Sequence, residues 1–347
     1  MRIIILLAAA VAALLPMPFS RARAQASAYT EQGFRAFLPE LRARALRSGV
    51  TAATVERIIP TLEFSRRTIE LDQAQPGGAA GNPAIPPFEP YRVKHVTPSL
   101  ISRGADRYVA NRAQLSAIGR RYGVNPSVLV AIWGHETSYG VVTGDFDLLN
   151  SLATLAYEGR RRDLFADEFV ATLKLYDRGI PRSQLKGSWA GATGYPQFLP
   201  SVYLRIAVDA DGDGRPNIWS SQLDALASIA NYLRNAGWKP NVPWGVRVSV
   251  PASLDRRALA SRLRAPRCPK VYERHSKWLR ISEWRRLGVV AQQGIWPNDN
   301  ELATLLEPDG VGAPAYLLTT NYRTILDYNC SNFYALSVGL LADAVAR

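Results

Sequence analysis

The chain has 347 residues, 47% of them hydrophobic, and its 42 Lys and Arg against 29 Asp and Glu leave a formal net charge of +13. That length allows two domains, or one core with a substantial insertion, and the apolar share excludes disorder as the dominant state. The basic excess suggests a polyanionic partner, although the arginines are dispersed enough to be a simple solvated surface.

Arg2, the apolar run 3–15, the breakers Pro16 and Pro18, and the small-x-small step Ala22-Arg23-Ala24 read as a secretory signal over residues 1–24. The run is shorter than the about 20 apolar residues that span a bilayer, and no later segment is a membrane span. Export argues against nucleic acid as the polyanion. Residues 29–66 are expected to be helical, with Phe34, Phe37, Leu38 and Leu41 at helical spacing. Residues 76–90, rich in Gly, Ala and Pro, read as an extended surface loop, and 99–122 return to helical periodicity.

Asn125-Pro126 is a helix start, with Asn as N-cap and Pro at the first helical position. In the helix that follows, Val128, Leu129, Ile132 and Trp133 form an apolar stripe, and Glu136 continues it. A carboxylate there is paired, capping or functional. Partial burial would keep it protonated near neutral pH, as a general acid toward a glycosidic oxygen requires. The alternative is a structural salt bridge with Arg160, Arg161 or Arg162. His135 points about 100° away around the helix and reads as structural.

Residues 187–200 run Gly-Ser-Trp-Ala-Gly-Ala-Thr-Gly-Tyr-Pro-Gln-Phe-Leu-Pro. Alternating Gly and Ala imply close backbone approach. The interleaved aromatic and amide side chains suit a sugar groove, and a tight packed loop accounts for them equally. Asp209-Ala210-Asp211-Gly212-Asp213-Gly214-Arg215 opens like an EF-hand loop, with oxygen ligands at positions 1, 3 and 5 and a backbone carbonyl at 7, but position 12 is Ser220 rather than Glu. Residues 221–236 read as a helix ended by Gly237. Residues 246–250 and 315–320 read as strands, and 332–346 as helix. For Cys268 and Cys330, a disulfide and two buried thiols both stay open.

Taken together, Ile-Trp-Gly-x-Glu-Thr-x-x-Gly and, some fifty residues on, Gly-Ser-aromatic-Ala-Gly-Ala-x-Gly-x-x-Gln-Phe-x-Pro resemble the membrane-bound lytic transglycosylase B family, a lysozyme-like branch acting on peptidoglycan. The patterns along the chain predict an α+β, mainly α fold, with a helical region and core (27–239), a small mixed α/β domain (240–328) and a C-terminal helix returning to the helical body (329–347), and the resemblance implies that the core is lysozyme-like. It implies a periplasmic enzyme that cleaves between N-acetylmuramic acid and N-acetylglucosamine and leaves 1,6-anhydro ends. Glu136 would be the single acid/base, with Ser188 beside the reacting sugar. Tyr91, Arg161, Arg162, Gln197, Phe198, Tyr232, Tyr328, Asn329 and Tyr334 would contact substrate. No catalytic cofactor is expected. A structural calcium is, at Asp209, Asp211, Asp213 and Arg215, with Asp224 as the late carboxylate. Glycan strands are the implied partner, and proteins of cell-wall synthesis or division are further candidates. Thr193 and Leu199 stand where the family usually has Met, and Trp189 where it has Tyr or Phe. A water-using muramidase and a non-catalytic peptidoglycan binder remain the alternatives.

Overall fold

Short polar side chains mark where helices begin. Thr30, Thr51, Ser65 and Thr97 each accept a backbone N–H from the residue three positions on, and Asn125 accepts that of Ser127, so each satisfies a donor that a helix start leaves orphaned. The computed structural model describes residues 29–75, 86–262, 265, 267–292 and 296–347; the expected signal segment lies outside them. The described residues form two compact units, one of 29–75 and 140–228, the other of 86–139 and 229–347. Both draw on residues before 240, so these units and the segments read from the sequence are different divisions of the chain.

In the first unit the expected helical stretch 29–66 is two helices, Glu31–Arg47 and Ala52–Ile58, separated at Gly49 with its positive φ of 84°. Phe34, Phe37 and Phe64 gather around Tyr157 with ring centroids about 6 Å apart. Tyr157 belongs to the helix Leu148–Glu158, whose residues 148, 149, 152, 153, 155 and 156 are fully buried. The helix Arg162–Asp177 packs along it and buries Phe165, Phe169 and Leu173. A two-stranded antiparallel ribbon, β1 (Phe146–Asp147) with β2 (Lys186–Gly187), precedes the Ser188 loop.

In the second unit the Pro126–Thr137 helix is central. Residues 127–134 are buried on every side, so its apolar surface is wider than the stripe read from the sequence. It packs against Asn332–Val345 and Pro98–Ala110. A five-stranded antiparallel sheet comprises β3 (Gly245–Ser249), β4 (Leu279–Arg280), β5 (Val290–Ala291), β6 (Leu302–Leu306) and β7 (Ala315–Thr319), in the order β4-β6-β7-β3-β5. Central β7 is buried at all five residues, and Val246, Val248, Trp284, Leu305 and Leu317 form the core beneath. Cys268 and Cys330 form a disulfide that ties the short Pro269–Tyr272 helix to the chain just before Asn332–Val345. This is the mainly α architecture with a small mixed region that the sequence led us to expect. No described helix is long and apolar enough to cross a membrane.

One stretch departs from expectation. Residues 88–90, read as the end of a loop, begin the helix Phe88–His95. Pro87 is its N-cap and Pro90 its third residue, where a helix has no partner for an N–H and so loses nothing by lacking one.

Candidate active site

Glu136 sits in the last turn of the buried helix, and the exit from that turn is unusual. Ser138 and Tyr139 are both left-handed, at φ 53° and 64°. The Ser138 N–H donates to Gly134 O and the Tyr139 N–H to Trp133 O, which closes the helix end. The conformation is held from both sides. The Arg103 guanidinium donates to Ser138 O and Oγ at 3.2 and 2.7 Å, and the Tyr139 hydroxyl donates to Leu100 O at 2.9 Å. Tyr139 folds back over Gly134, where a Cβ would lie 2.5 Å from the ring; no larger residue fits there.

The Glu136 carboxyl accepts a hydrogen bond from the Tyr334 hydroxyl at 2.6 Å. Packing removes water from the carboxyl and pushes its pKa up to about 7; the Tyr334 bond opposes this by favouring the ionised form. Tyr328 stacks over Tyr334 at 6.5 Å, and Tyr232 meets Tyr328 edge-on at 4.8 Å, its hydroxyl donating to Asp327 O. Tyr91, on the Phe88–His95 helix, lies in a stack with His95 (3.7 Å) and His135 (6.5 Å), and burial beside Glu136 pushes its hydroxyl up to about 12. The Asn329 Oδ1 is buried with no hydrogen-bond partner. His135, read from the sequence as structural, lines this cluster. Its ring packs edge-on against Tyr334 at 4.6 Å, and burial depresses the imidazole to about 3, so it is neutral. The second unit therefore brings Glu136, Tyr91, Tyr232, Tyr328, Asn329 and Tyr334 onto one set of packed elements.

The balance at Tyr334 makes one prediction. Tyr334→Phe removes a bond that favours the ionised Glu136, so the carboxyl should hold its proton to higher pH. A hydrogen bond to a charged group contributes about 1.5–3 kcal/mol, equivalent to about one to two pH units. The high-pH limb of activity should move upward by about that much in the variant, as a pH–rate profile would show; an unmoved limb would mean that Tyr334 does not set the acid's proton affinity.

The remaining expected contacts lie in the first unit. Ser188 Oγ accepts the Ala192 N–H at 3.0 Å and closes the glycine-rich loop on itself. Gln197, left-handed at φ 49°, donates its amide to Thr143 O and Gly194 O, and Phe198 is 3% exposed. Thr193 is fully buried; its hydroxyl donates to Lys186 O at 2.6 Å and accepts the Trp219 indole N–H at 2.7 Å, a pair of bonds that methionine cannot make. Arg161 and Arg160 pair with the buried Asp72, while Arg162 lies 3.7 Å from Glu40 and over the Phe37 ring. Arg161 retains a buried Nε without a partner.

The acidic loop brings one carboxylate oxygen each from Asp209, Asp211 and Asp213 within 4.8 Å of one another. They also accept the backbone N–H groups of Gly212, Gly214, Asp213 and Arg215, and Asp211 accepts the Ser221 hydroxyl at 2.8 Å. Asp224 stands apart from that trio. It is fully buried and accepts the N–H groups of Ala210, Asp211 and Asn217, so it holds the loop from behind.

A desolvated carboxyl held near neutral pKa in a cluster of tyrosines, within a mainly helical protein, is a site suited to acid/base chemistry. The chain belongs to the family of the transglycosylase SLT domain, whose model matches residues 33–343. It is 35% identical over 259 residues to membrane-bound lytic murein transglycosylase B of Escherichia coli K12, an alignment covering 74% of this chain and 66% of that protein. It is similar to the crystal structure of SltB3 from Pseudomonas aeruginosa in complex with NAG-anhNAM-pentapeptide, with a TM-score of 0.80 and 37% identity over 90% of this chain and 79% of that one. It is also similar to the E. coli lytic transglycosylase Slt35 in complex with calcium, with a TM-score of 0.70, 29% identity and coverage of 91% and 93%.

Proposed function

We propose that this protein is a lytic transglycosylase that cuts peptidoglycan strands, with Glu136 as its single acid/base. The observation that carries the reading is the Glu136 carboxyl, raised to about 7 by burial, with no carboxylate partner among the described residues contributing to the shift. A hydrolase working through paired carboxyl groups would place a second one beside it. The protonated Glu136 gives its proton to the oxygen bridging muramic acid and glucosamine as the C1–O bond breaks. The resulting carboxylate then takes the proton of the muramoyl C6 hydroxyl as that oxygen bonds to C1. Glu136 ends protonated, and no water is consumed.

In this reading Tyr334 and Tyr91 flank the acid. Tyr232 and Tyr328 offer ring faces, and the unpartnered Asn329 Oδ1 is available to a sugar hydroxyl or amide. Ser188 and Gln197 present polar groups from the glycine-rich loop, with Phe198 supporting it from the core. Arg161 and Arg162 are already engaged with Asp72 and Glu40, so their contribution to substrate would be electrostatic rather than a free bidentate grip. The signal read over residues 1–24 would place the enzyme in the periplasm. Mass spectrometry of the products released from purified peptidoglycan tests the reaction. Anhydromuramic ends, one water lighter than hydrolysis products, are expected; reducing ends would identify a muramidase, and binding without release a non-catalytic protein.

The aspartate trio fits a cation. Three like charges this close repel strongly unless neutralised, and a set of hard oxygens, completed by the Arg215 carbonyl, suits calcium. A bound ion would stiffen the loop and supply no step of the chemistry. Added calcium should raise the melting temperature of the wild type and leave Asp211→Asn unchanged; equal shifts in both would remove the trio as the site.

A further inference from the structure

The Arg323 guanidinium packs against two aromatic rings. Its Cζ lies 3.8 Å from the Tyr272 ring centroid and 4.5 Å from that of Trp278. Ring contacts use the faces of the guanidinium, so polar partners meet its in-plane N–H donors; the Tyr272 side chain engages this edge in part, and the donors are of the kind with which a guanidinium takes a carboxylate. The cation is poorly compensated. Its Nε is buried and has no hydrogen-bond partner. Among the described residues the carboxylate that acts on it is Asp327, one turn further along the same helix, and it pairs with Arg267 at 3.1 Å. Burial accordingly lowers the guanidinium's proton affinity, a cost that Tyr272 and Asp327 only partly offset.

The surroundings link this cation to the candidate active site. Arg323 and Tyr328 share the Thr320–Tyr328 helix, and Tyr328 stacks over Tyr334, which holds Glu136. Tyr272 closes the Pro269–Tyr272 turn, which the disulfide fixes to Cys330, two residues after Tyr328. Arg267, half exposed, adds a second positive charge at the rim. A cation walled by aromatic rings, five residues before Tyr328 on the same helix, suits an anionic group that the substrate carries away from the bond being cut.

We propose that Arg323, walled by Tyr272 and Trp278 and assisted by Arg267, binds a free carboxylate of the peptide stem attached to the glycan. This rests on the peptidoglycan reading above. It is tested first without cleavage, by calorimetric titration of the full chain with a synthetic stem tetrapeptide and with the same peptide bearing amidated carboxyl groups. The free acid should bind about tenfold tighter or more, and Arg323→Lys, which keeps the charge but loses the planar fork, should erase most of that difference. In kinetics, Arg323→Lys should raise KM about tenfold on stem-bearing strands, with kcat unchanged, and leave KM on strands stripped of their stems where it was. Equal binding of acid and amide by the wild type would overturn the proposal, as would an equal rise of KM on both kinds of strand. The acid–amide comparison needs neither a variant nor turnover, so it decides the matter even if Glu136 proves not to be the acid.

Discussion

Glu136→Gln is expected to lower strand cleavage about a thousandfold, the scale on which a positioned general acid–base group contributes, and at the same time to make the protein more stable at neutral pH. Both effects have one cause. In the unfolded chain the carboxyl titrates near its ordinary value of 4.5; in the folded protein burial raises it to about 7. Below pH about 4 the group is protonated in both states and adds nothing to the difference between them. As pH rises from there toward 7, the unfolded chain loses its proton and the folded protein keeps it, so stability falls; above 7 the full cost is present, about 3 kcal/mol for a shift of this size. Glutamine is neutral throughout and can still accept the Tyr334 hydroxyl. Denaturant titrations of both proteins should therefore coincide near pH 4 and diverge toward pH 8, with the variant more stable, while product assays show its activity lost. Parallel stability curves across that range would mean that Glu136 is solvated like an ordinary surface carboxylate. Cleavage that survives in the folded variant would remove it as the acid.

The same residue shows how far the sequence could be read. Placement of Glu136 on a buried helix followed from the Asn125-Pro126 start and the apolar spacing behind it, because capping and burial are local consequences of neighbouring residues. The β3 and β7 strands and the helix Asn332–Val345 were legible for the same reason. What was illegible is long-range. Nothing near position 136 announces that its hydroxyl donor lies 198 residues on, at Tyr334. Arg161 looks free to meet a substrate carboxylate until Asp72, 89 residues earlier, is folded onto it. Strands β4 and β5 are two residues each, too short for any alternation; they exist because β6 and β3 offer them edges. The helix carrying Tyr91 was hidden by prolines that are harmless in a first turn. Thr193, read as a departure from the family's methionine, becomes intelligible only when the Trp219 indole is seen to donate to it.

The second large effect belongs to the disulfide, which the sequence left undecided. Cys268 and Cys330 are 62 residues apart with Cα atoms 5.7 Å from one another, and the loop between them contains β4 to β7 and the helix Thr320–Tyr328. In the chain-entropy model a crosslink closing a loop of that length restrains the unfolded chain by about 4 kcal/mol. The double substitution Cys268→Ser with Cys330→Ser should lower stability by about that amount, and added reductant should do the same to the wild type while leaving the variant unmoved. The bond also anchors the Tyr272 turn beside Arg323 and sits two residues from Tyr328. Its loss should therefore weaken stem-peptide binding before it weakens cleavage of stem-free strands, because Glu136 and Tyr334 are held by the packing of Pro126–Thr137 against Asn332–Val345 and do not depend on the crosslink. Urea midpoints measured with and without reductant check the first effect. A difference below about 1 kcal/mol would mean that the unfolded chain is already restrained in this segment, since the native ends of the loop are in contact in either case.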